Sequence, residues 1–140
     1  MIVIDAKDLI VGRLATYCAK EALLGEKIAV VNCKGAVLTG GTKSILKDIR
    51  EQRERGNPFK GPFFPKGADR IMKRTIRGML PYKSSRGRDA LSNVKCYVNV
   101  PKGLEKEKLE SLDSAHSKNT KSLKLTTLKT VSESMGVNYG

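Results

Sequence analysis

The sequence predicts an α/β domain in which helices pack on a small, largely parallel sheet. Strand-like and helix-like patterns alternate along the chain, and one run, Ile28–Val31, is apolar without interruption, as in strands that are covered on both faces. The chain has no Trp and 5% aromatic residues, so its core must consist mainly of aliphatic side chains and Met. With 140 residues, a single domain over 1–140 is expected.

The first part of the chain predicts a strand, a helix and a second strand. A short apolar run, Met1–Ile4, is followed by apolar residues at helical spacing until Gly25. These residues are Val11, Leu14, Ala15, Cys18 and Ala22. The second strand, Lys27–Asn32, comes next. A parallel arrangement follows from this order.

The middle of the chain predicts a third strand and two further helices. Glycine and proline mark the ends of these elements. The expected elements are a strand at Ala36–Leu38, a helix that carries Ile45, Leu46 and Ile49 and stops at Gly56–Pro58, a loop at 56–68, and a helix from Asp69 to near Pro81.

The C-terminal part begins with a basic turn and an alternating strand. Lys83–Arg88 is expected to be the turn, and Val94–Val100 alternates apolar and polar residues until Pro101 ends it. The remaining expectations are a short charged helix at Leu104–Asp113, a polar, loose segment at Ala115–Lys124 and a final helical turn at Thr130–Met135.

The charge of the chain points to a polyanionic partner. Lys and Arg number 27 against 14 Asp and Glu, a net charge of +13, and such a protein repels itself unless a polyanion lies against it. Between Arg50 and Arg88 there are 12 basic and 3 acidic residues, a net +9. Most of the arginines lie there, and their planar fork suits phosphate, whereas solubility is served as well by other charges. Nucleic acid is the first partner to consider.

The helix expected from Asp69 concentrates this charge on one side. With roughly 100° between successive residues, its cations fall within an arc of about 100°. They are Arg70, Lys73, Arg74 and Arg77, and Met72, Ile76 and Met79 face the other way. A solvated stripe is the ordinary alternative, yet four cations without an acid among them repel one another. We interpret the stripe as a phosphate-binding face.

A glycine turn within Gly35–Ser44 invites comparison with the phosphate loop of nucleoside triphosphatases. The spacing fails, because that loop places Lys directly after its second glycine, whereas Gly41 and Thr42 separate Gly40 from Lys43. Two interpretations stay open. The helix N-terminus can hold a single backbone phosphate, or the segment is a plain turn with Thr42 as the cap.

The loop 56–68 contains all three phenylalanines, three of the five prolines, and Lys60 and Lys66. Aromatic rings beside lysines can stack unpaired bases while the lysines hold the RNA backbone. Equally, Phe59, Phe63 and Phe64 can anchor the loop to the domain. Both alternatives stay open.

Residues suited to catalysis or metal binding are sparse. Cys18, Cys33 and Cys96 are widely spaced in apolar patterns and are expected to be reduced core thiols of a cytoplasmic protein. His116, the only histidine, is expected on the surface. No set of catalytic or metal-ligating residues emerges, so no enzyme activity, cofactor, metal or small-molecule substrate is predicted. No signal peptide or membrane span is expected, since no apolar run approaches the ~20 residues that a bilayer requires.

Several segments of the chain resemble one known family. They are Val3–Ala6, Gly12–Ala15, Val30–Asn32, Ile76–Arg88, Ala90-Leu91 and Val94–Tyr97. Together they are similar to the universal large-subunit ribosomal protein family thirteen, over about the first 100 residues. The short chain and the Phe-Pro loop look like its archaeal members. The segment 104–140 resembles the family only loosely.

The resemblance implies a three-layer α/β/α domain with a small four-stranded, mostly parallel sheet. It also implies a structural constituent of the large subunit in the cytoplasm, which binds ribosomal RNA and neighbouring ribosomal proteins and supports assembly. On the matching motif, it implies RNA binding by Arg77, Lys83, Arg86 and Arg88, backbone roles for Gly78 and Gly87, and core roles for Met79 and Leu80. Together with the charge pattern, the predicted RNA-binding residues are Arg13, Lys43, Lys60, Lys66, Arg70, Lys73, Arg74, Arg77, Lys83, Arg86 and Arg88.

Two rival functions belong to other classes. One is a small nucleotide-binding enzyme that uses the turn at Gly40, which binding of a nucleoside triphosphate would reveal. The other is a free-standing RNA chaperone with the same basic face. Sedimentation with the large subunit would separate it from a ribosomal component.

Overall fold

A computed structural model describes residues 1–139 and shows which of the expected strands and helices form. The strands in this range are β1 (Ile2–Asp5), β2 (Ile28–Val31), β3 (Val37–Thr39), β4 (Val94–Cys96) and β5 (Leu125–Thr127). The helices in it are α1 (Val11–Leu23), α2 (Thr42–Glu54), α3 (Ala68–Met79), α4 (Ser85–Ser92) and α5 (Leu128–Ser134). The expected mixed α/β class is confirmed.

The strands form two separate sheets. β1, β2 and β4 form a parallel sheet in which Ile28 of β2 is paired with both Ile2 and Val94. β3 pairs instead with β5, antiparallel, with Val37 opposite Thr127. The expected single four-stranded sheet is therefore wrong. After β2, Asn32 adopts a left-handed backbone with φ of 56° and a 3-10 turn follows, so the chain leaves the parallel sheet before β3 begins.

The two faces of the parallel sheet are covered differently. Ile4, Ile28 and Val30 belong to the main core, which α1, α3, α4 and α5 complete. On the other face, Val3, Ala29 and Val31 are covered by Tyr97, Val100 and Leu104. Those three residues lie in non-helical segments or a 3-10 turn. The third layer is therefore irregular chain, and the expected helix-covered second face is wrong.

The charged helix expected at Leu104–Asp113 is also wrong. A 3-10 turn, Lys102–Leu104, and a further turn at 105–106 are followed by chain that meets the free edge of β1 at Glu110. The amide of Glu110 donates to the carbonyl of Val3 at 2.8 Å, and the amide of Asp5 donates to the carbonyl of Glu110 at 2.9 Å. These bonds satisfy edge groups of β1 that would otherwise lack partners.

The apolar side of helix α3 is buried, as expected, and it packs against α1. Met72 and Ile76 are fully buried. Met79 is 42% exposed, so its assignment to the core is wrong, whereas Leu80 is buried as expected. Met79 ends the helix, where its sulfur accepts a hydrogen bond from the hydroxyl of Thr16 at 3.5 Å.

The basic turn expected at Lys83–Arg88 is largely the helix α4. Ser84 is its N-cap, because the hydroxyl accepts a hydrogen bond from the amide of Gly87 at 3.2 Å and donates to the carbonyl of Pro81 at 2.8 Å. The strand expected to reach Val100 ends at Cys96. The chain beyond it turns to cover the second face of the sheet.

The C-terminal segment is fixed to the first half of the chain. The segment expected to be loose, 115–124, starts at the end of one 3-10 turn, Asp113–Ala115, and contains a second one, Ser117–Asn119. Within the first turn, Ala115 is buried and its carbonyl accepts from the amide of Ile10 at 2.8 Å. The expected final helical turn is confirmed as α5, which begins two residues earlier.

Candidate nucleic-acid interface

The four cations expected on one face of α3 do lie together. Because Ala68, Ile71, Met72 and Ile76 are buried, the opposite side of the helix is left for the charged residues. Arg70 and Arg77 are exposed and Lys73 and Arg74 are half-buried. All four line one open groove of about 380 Å³.

The groove has apolar walls as well as charges. Phe63 and Pro65 from the loop 56–68 and Leu91 from α4 line it together with the α3 cations. The loop and α4 thus approach the charged side of α3, so the cations are set in a groove rather than on an open helix surface.

Arg74 holds the loop 56–68 to α3. Its guanidinium donates a hydrogen bond to the carbonyl of Phe63 at 3.1 Å, and its Cζ lies 5.2 Å from the centre of the Phe64 ring. An arginine over an aromatic face contributes about 0.5–1 kcal/mol where solvent has access. Arg74 is therefore already engaged within the protein, and part of its donor capacity is used before any phosphate arrives.

Arg77 packs on the turn between α3 and α4. Its Cζ lies 5.2 Å from the centre of the Tyr82 ring. Stacking leaves the guanidinium N–H groups at the edge of the plane, where they can meet a phosphate. This contact directs Arg77 towards the α4 side of the groove.

The three cations that follow α3 divide between two directions. Lys83, Arg86 and Arg88 are all exposed. On α4, Arg88 precedes Leu91 by three residues and shares its side, whereas Arg86 lies about 140° away from Leu91 around the helix. Arg88 is therefore on the same side of α4 as Leu91 but does not itself line the groove, and Arg86 faces elsewhere.

Gly87 explains how closely α4 approaches the preceding turn. A Cβ at this position would lie 2.0 Å from the carbonyl oxygen of Pro81. Gly78 differs, since a Cβ there would meet nothing within 4 Å. The backbone role expected for Gly87 is thus explained by contact, and nothing in the structure explains Gly78.

The remaining predicted residues lie outside the groove. The Arg13 guanidinium donates to the carbonyl of Ser114 at 3.2 Å, which ties α1 to the C-terminal segment. Lys60 is exposed in the loop, and Lys66 lines a second groove with Arg53 and Arg55. Lys43 is exposed in the first turn of α2, a helix that packs against α5 and β5.

The glycine turn before α2 has no side-chain cap. Gly41 is the N-cap residue, and Thr42 is the first residue of the helix. The hydroxyl of Thr42 lies 3.1 Å from that of Thr126, so it joins α2 to β5. The interpretation of Thr42 as the cap is therefore wrong.

The loop 56–68 is built on a tight turn. The amide of Gly61 donates to the carbonyl of Asn57 at 2.8 Å, and the side chain of Asn57 accepts from the amide of Phe59 at 2.9 Å. Phe64 is half-buried against the main core, whereas Phe59 and Phe63 are 92% and 70% exposed. Phe64 therefore anchors the loop to the domain, whereas the side chains of Phe59 and Phe63 stay accessible to a partner.

The groove cations form no ion pair within 4.0 Å among residues 1–139, although Asp69 lines a neighbouring pocket with Arg70 and Lys73. Over residues 1–139, the ion pairs within 4.0 Å are Lys47–Glu51 on α2 and Lys129–Glu133 on α5. Neither pair involves a residue of the predicted RNA-binding set. With four cations against the nearby Asp69, the groove region keeps a net positive charge, which favours an anionic partner.

The cysteines have the character of core residues. Cys18 and Cys33 are buried and Cys96 is half-buried, and all are free thiols. Burial raises the pKa of Cys18 to about 12. A hydrogen bond with Cys96, together with burial, raises the pKa of Cys33. Both buried thiols stay neutral near pH 7 and are poor nucleophiles.

His116 is half-buried rather than fully exposed, and its Nδ1 accepts a hydrogen bond from the amide of Lys118 at 3.2 Å.

In residues 1–139, no cluster of three or more His, Cys, Asp or Glu side chains has a geometry for metal binding. Within that range, none of the helices combines the length and apolar character needed to cross a membrane.

Sequence reasoning did not identify Leu91 and Tyr82 as parts of the interface. The sequence predicts a turn before Leu91 and no helix through it. The pattern therefore does not indicate which side of the chain Leu91 faces. The signal for α4 was Ser84 after Pro81, a cap residue at a helix start. Tyr82 meets Arg77 only because the chain reverses between α3 and α4.

Comparison with known proteins agrees with the resemblance seen in the motifs. The family model described as Ribosomal protein L13 matches residues 1–103. The large ribosomal subunit protein uL13 of Methanosarcina barkeri is 49% identical over 140 residues, which cover 99% of this chain and 100% of that protein. Those of Natronomonas pharaonis and Archaeoglobus fulgidus are each 44% identical, covering 98% and 96% of this chain and 92% and 86% of their own lengths. The chain therefore belongs to the ribosomal protein L13 family, a family of structural ribosomal proteins and not of enzymes.

Proposed function

We propose that this chain is a structural constituent of the large ribosomal subunit, which binds ribosomal RNA through the α3 groove and supports subunit assembly in the cytoplasm. Its relatives are named as large-subunit proteins. Their names say nothing of which residues contact RNA, so the assignment of the groove depends on its geometry and charge.

The observation that carries the proposal is that the groove cations form no ion pair within 4.0 Å among residues 1–139. Arg70, Lys73 and Arg77 lie within one groove, and neither of the ion pairs described above includes them. Like charges held this close repel one another. Phosphates in the groove would remove that repulsion and release condensed counterions from the RNA, which favours binding.

The remaining predicted cations have supporting roles in this proposal. Arg88 and Lys83 are exposed in the segments that follow α3 and supply further positive charge for RNA, and Lys66 adds to the second groove beside Arg53 and Arg55. Arg74 positions the loop 56–68. Neighbouring ribosomal proteins then contact surfaces outside these grooves.

Crosslinking in cells followed by sequencing of the attached RNA tests the function. We expect crosslinks confined to a few regions of large-subunit ribosomal RNA, and retention of the protein on purified large subunits through a moderate salt wash. Crosslinks scattered over many cellular RNAs, with loss from the subunit in the wash, would instead indicate a free RNA chaperone. Saturable binding of a nucleoside triphosphate to the purified protein would support the enzyme alternative.

A further inference from the structure

Phe63 is an exposed aromatic residue whose backbone position is held from two sides. Its carbonyl accepts the hydrogen bond from Arg74, and the next residue, Phe64, is packed against the main core. The ring of Phe63 itself stays 70% exposed. The loop therefore presents the Phe63 side chain from a fixed backbone, whereas the neighbouring Phe64 is half-buried against the core.

The groove that Phe63 lines has a composition that phosphate binding alone does not require. Cations are sufficient to bind a phosphate. Apolar and aromatic surfaces add nothing to that contact, yet Phe63, Pro65 and Leu91 line the groove with them. Flat apolar surfaces beside cations are what an unpaired nucleobase and its flanking phosphates require.

The size of the groove also fits a small occupant. Its volume of about 380 Å³ lies within the range of roughly 300–1,000 Å³ that is usual for small-ligand sites. A base that is paired within a duplex cannot enter such a groove, because both of its faces are already stacked. The occupant must therefore be a base turned out from a loop, a bulge or a single strand.

We propose, on the basis of the RNA-binding function above, that the α3 groove holds one unpaired nucleobase of RNA stacked on Phe63. Arg70 and Lys73 hold the phosphates beside that base, and Pro65 and Leu91 cover its edges. An apolar protein segment fits less well, because its docking would bury the groove cations without counter-charges. Charge complementarity thus favours RNA as the occupant.

The loop supplies a matched control residue. Phe59 is also an exposed phenylalanine of the same loop, but it does not line the α3 groove. Phe63→Leu and Phe59→Leu each remove one aromatic face and keep an apolar side chain. Phe63→Tyr keeps the ring and serves as the conservative variant.

The test measures the affinity of the full chain for two RNA probes. One is a short single-stranded RNA without self-complementarity, and the other is the duplex that it forms with its complement. Because Phe63→Leu removes the aromatic face on which the base stacks, it should weaken single-strand binding roughly tenfold and leave duplex binding unchanged. Phe59→Leu and Phe63→Tyr should retain the single-strand affinity of the wild type.

Each other result overturns the base-binding proposal. Equal losses for Phe63→Leu and Phe59→Leu would mean that any exposed ring of the loop contributes. A loss of affinity for both probes would mean that Phe63 only shapes the groove. The same conclusion would follow if Phe63→Leu lowered the melting temperature and Phe63→Tyr lost affinity as well. If Phe63→Leu binds both RNAs normally but is lost from large subunits, the apolar walls hold a neighbouring protein.

The failure of this inference is distinguishable from failure of the proposed function. If the wild type binds the single strand with a steep salt dependence and Phe63→Leu is unchanged, RNA binding stands and the base pocket does not. If the wild type binds neither probe nor ribosomal RNA, both are overturned.

Discussion

At Gly87, a single hydrogen atom in place of a methyl group allows α4 to start directly against the preceding turn. Gly87→Ala would place a Cβ 2.0 Å from the carbonyl oxygen of Pro81. Because the clash is with backbone, the turn must shift, and we expect a loss of about 1–3 kcal/mol in the free energy of unfolding. Urea denaturation measures this loss.

Gly78→Ala is the control for that substitution. Gly78 is exposed in α3, and a Cβ there meets nothing within 4 Å. Alanine is the better helix former, so this change should stabilise the free protein by about 0.5–1 kcal/mol. Equal destabilisation by both substitutions would contradict the assigned contact at Gly87.

The buried thiol of Cys18 makes stability depend on pH in the alkaline range. Its pKa rises from about 9 in the unfolded chain to about 12 in the folded protein. Above pH 9 the unfolded state therefore loses this proton first, and stability should fall by up to roughly 1.4 kcal/mol per pH unit from this group. Below pH 9 the contribution is complete and constant.

Denaturation midpoints measured across that alkaline window test the effect. Other groups also titrate there, so the comparison is with Cys18→Ala, which lacks the thiol. Its stability should decline less steeply with pH than that of the wild type. Parallel declines would show that the Cys18 thiol is not protected in the folded state.

The loop 56–68 and α3 act as one unit at the scale of elements. Arg74 joins them through the Phe63 carbonyl and the Phe64 ring. Arg74→Gln should therefore release the loop, which hydrogen exchange of the amides from 57 to 64 would detect as faster exchange. Global stability should change by less than about 1 kcal/mol, because the contact is at the surface.

Arg70→Gln is the matched control on the same helix. Arg70 is exposed and lines the same groove, but the hydrogen bond to Phe63 belongs to Arg74. Exchange in the loop should be unchanged by Arg70→Gln. If the two variants accelerate exchange equally, the loop responds to lost charge and not to a specific contact.

Over the whole molecule, positive charge is distributed unevenly. Among residues 1–139, the groove cations form no ion pair within 4.0 Å, whereas the segment that reaches the β1 edge alternates acids with lysines at 105–110. Arg70→Gln together with Arg77→Gln should flatten the plot of log affinity against log salt by about 1.5, because each lost phosphate contact removes about 0.7–0.9. Affinity for large-subunit ribosomal RNA over a range of salt concentrations measures this slope.

Lys106→Gln together with Lys108→Gln removes the same net charge elsewhere. Both lysines are exposed in the segment between acidic residues. The slope for this pair should stay close to that of the wild type. Equal flattening by the two pairs would mean that net charge governs binding and that the groove has no special role.

The sequence by itself determined the helices and strands whose pattern lies within a single stretch of neighbouring residues. The apolar periodicity of α1 and α3 and the continuous run of β2 follow from burial of one side or both faces of an element, and the structure has them within a few residues of the expected bounds. The charged side of α3 follows from the same periodicity. Net charge and the family motifs are also properties of the chain alone.

Tertiary structure decided the features that depend on distant residues. β3 pairs with β5, and the edge of β1 is completed by Glu110, because backbone hydrogen-bonding groups take partners from whichever segment the fold brings near. Likewise, the charged stripe of α3 became a groove only when Phe63 and Leu91 approached it from the loop and from α4. Periodicity describes which side of an element is buried, and it carries no information on which distant segment lies against the other side.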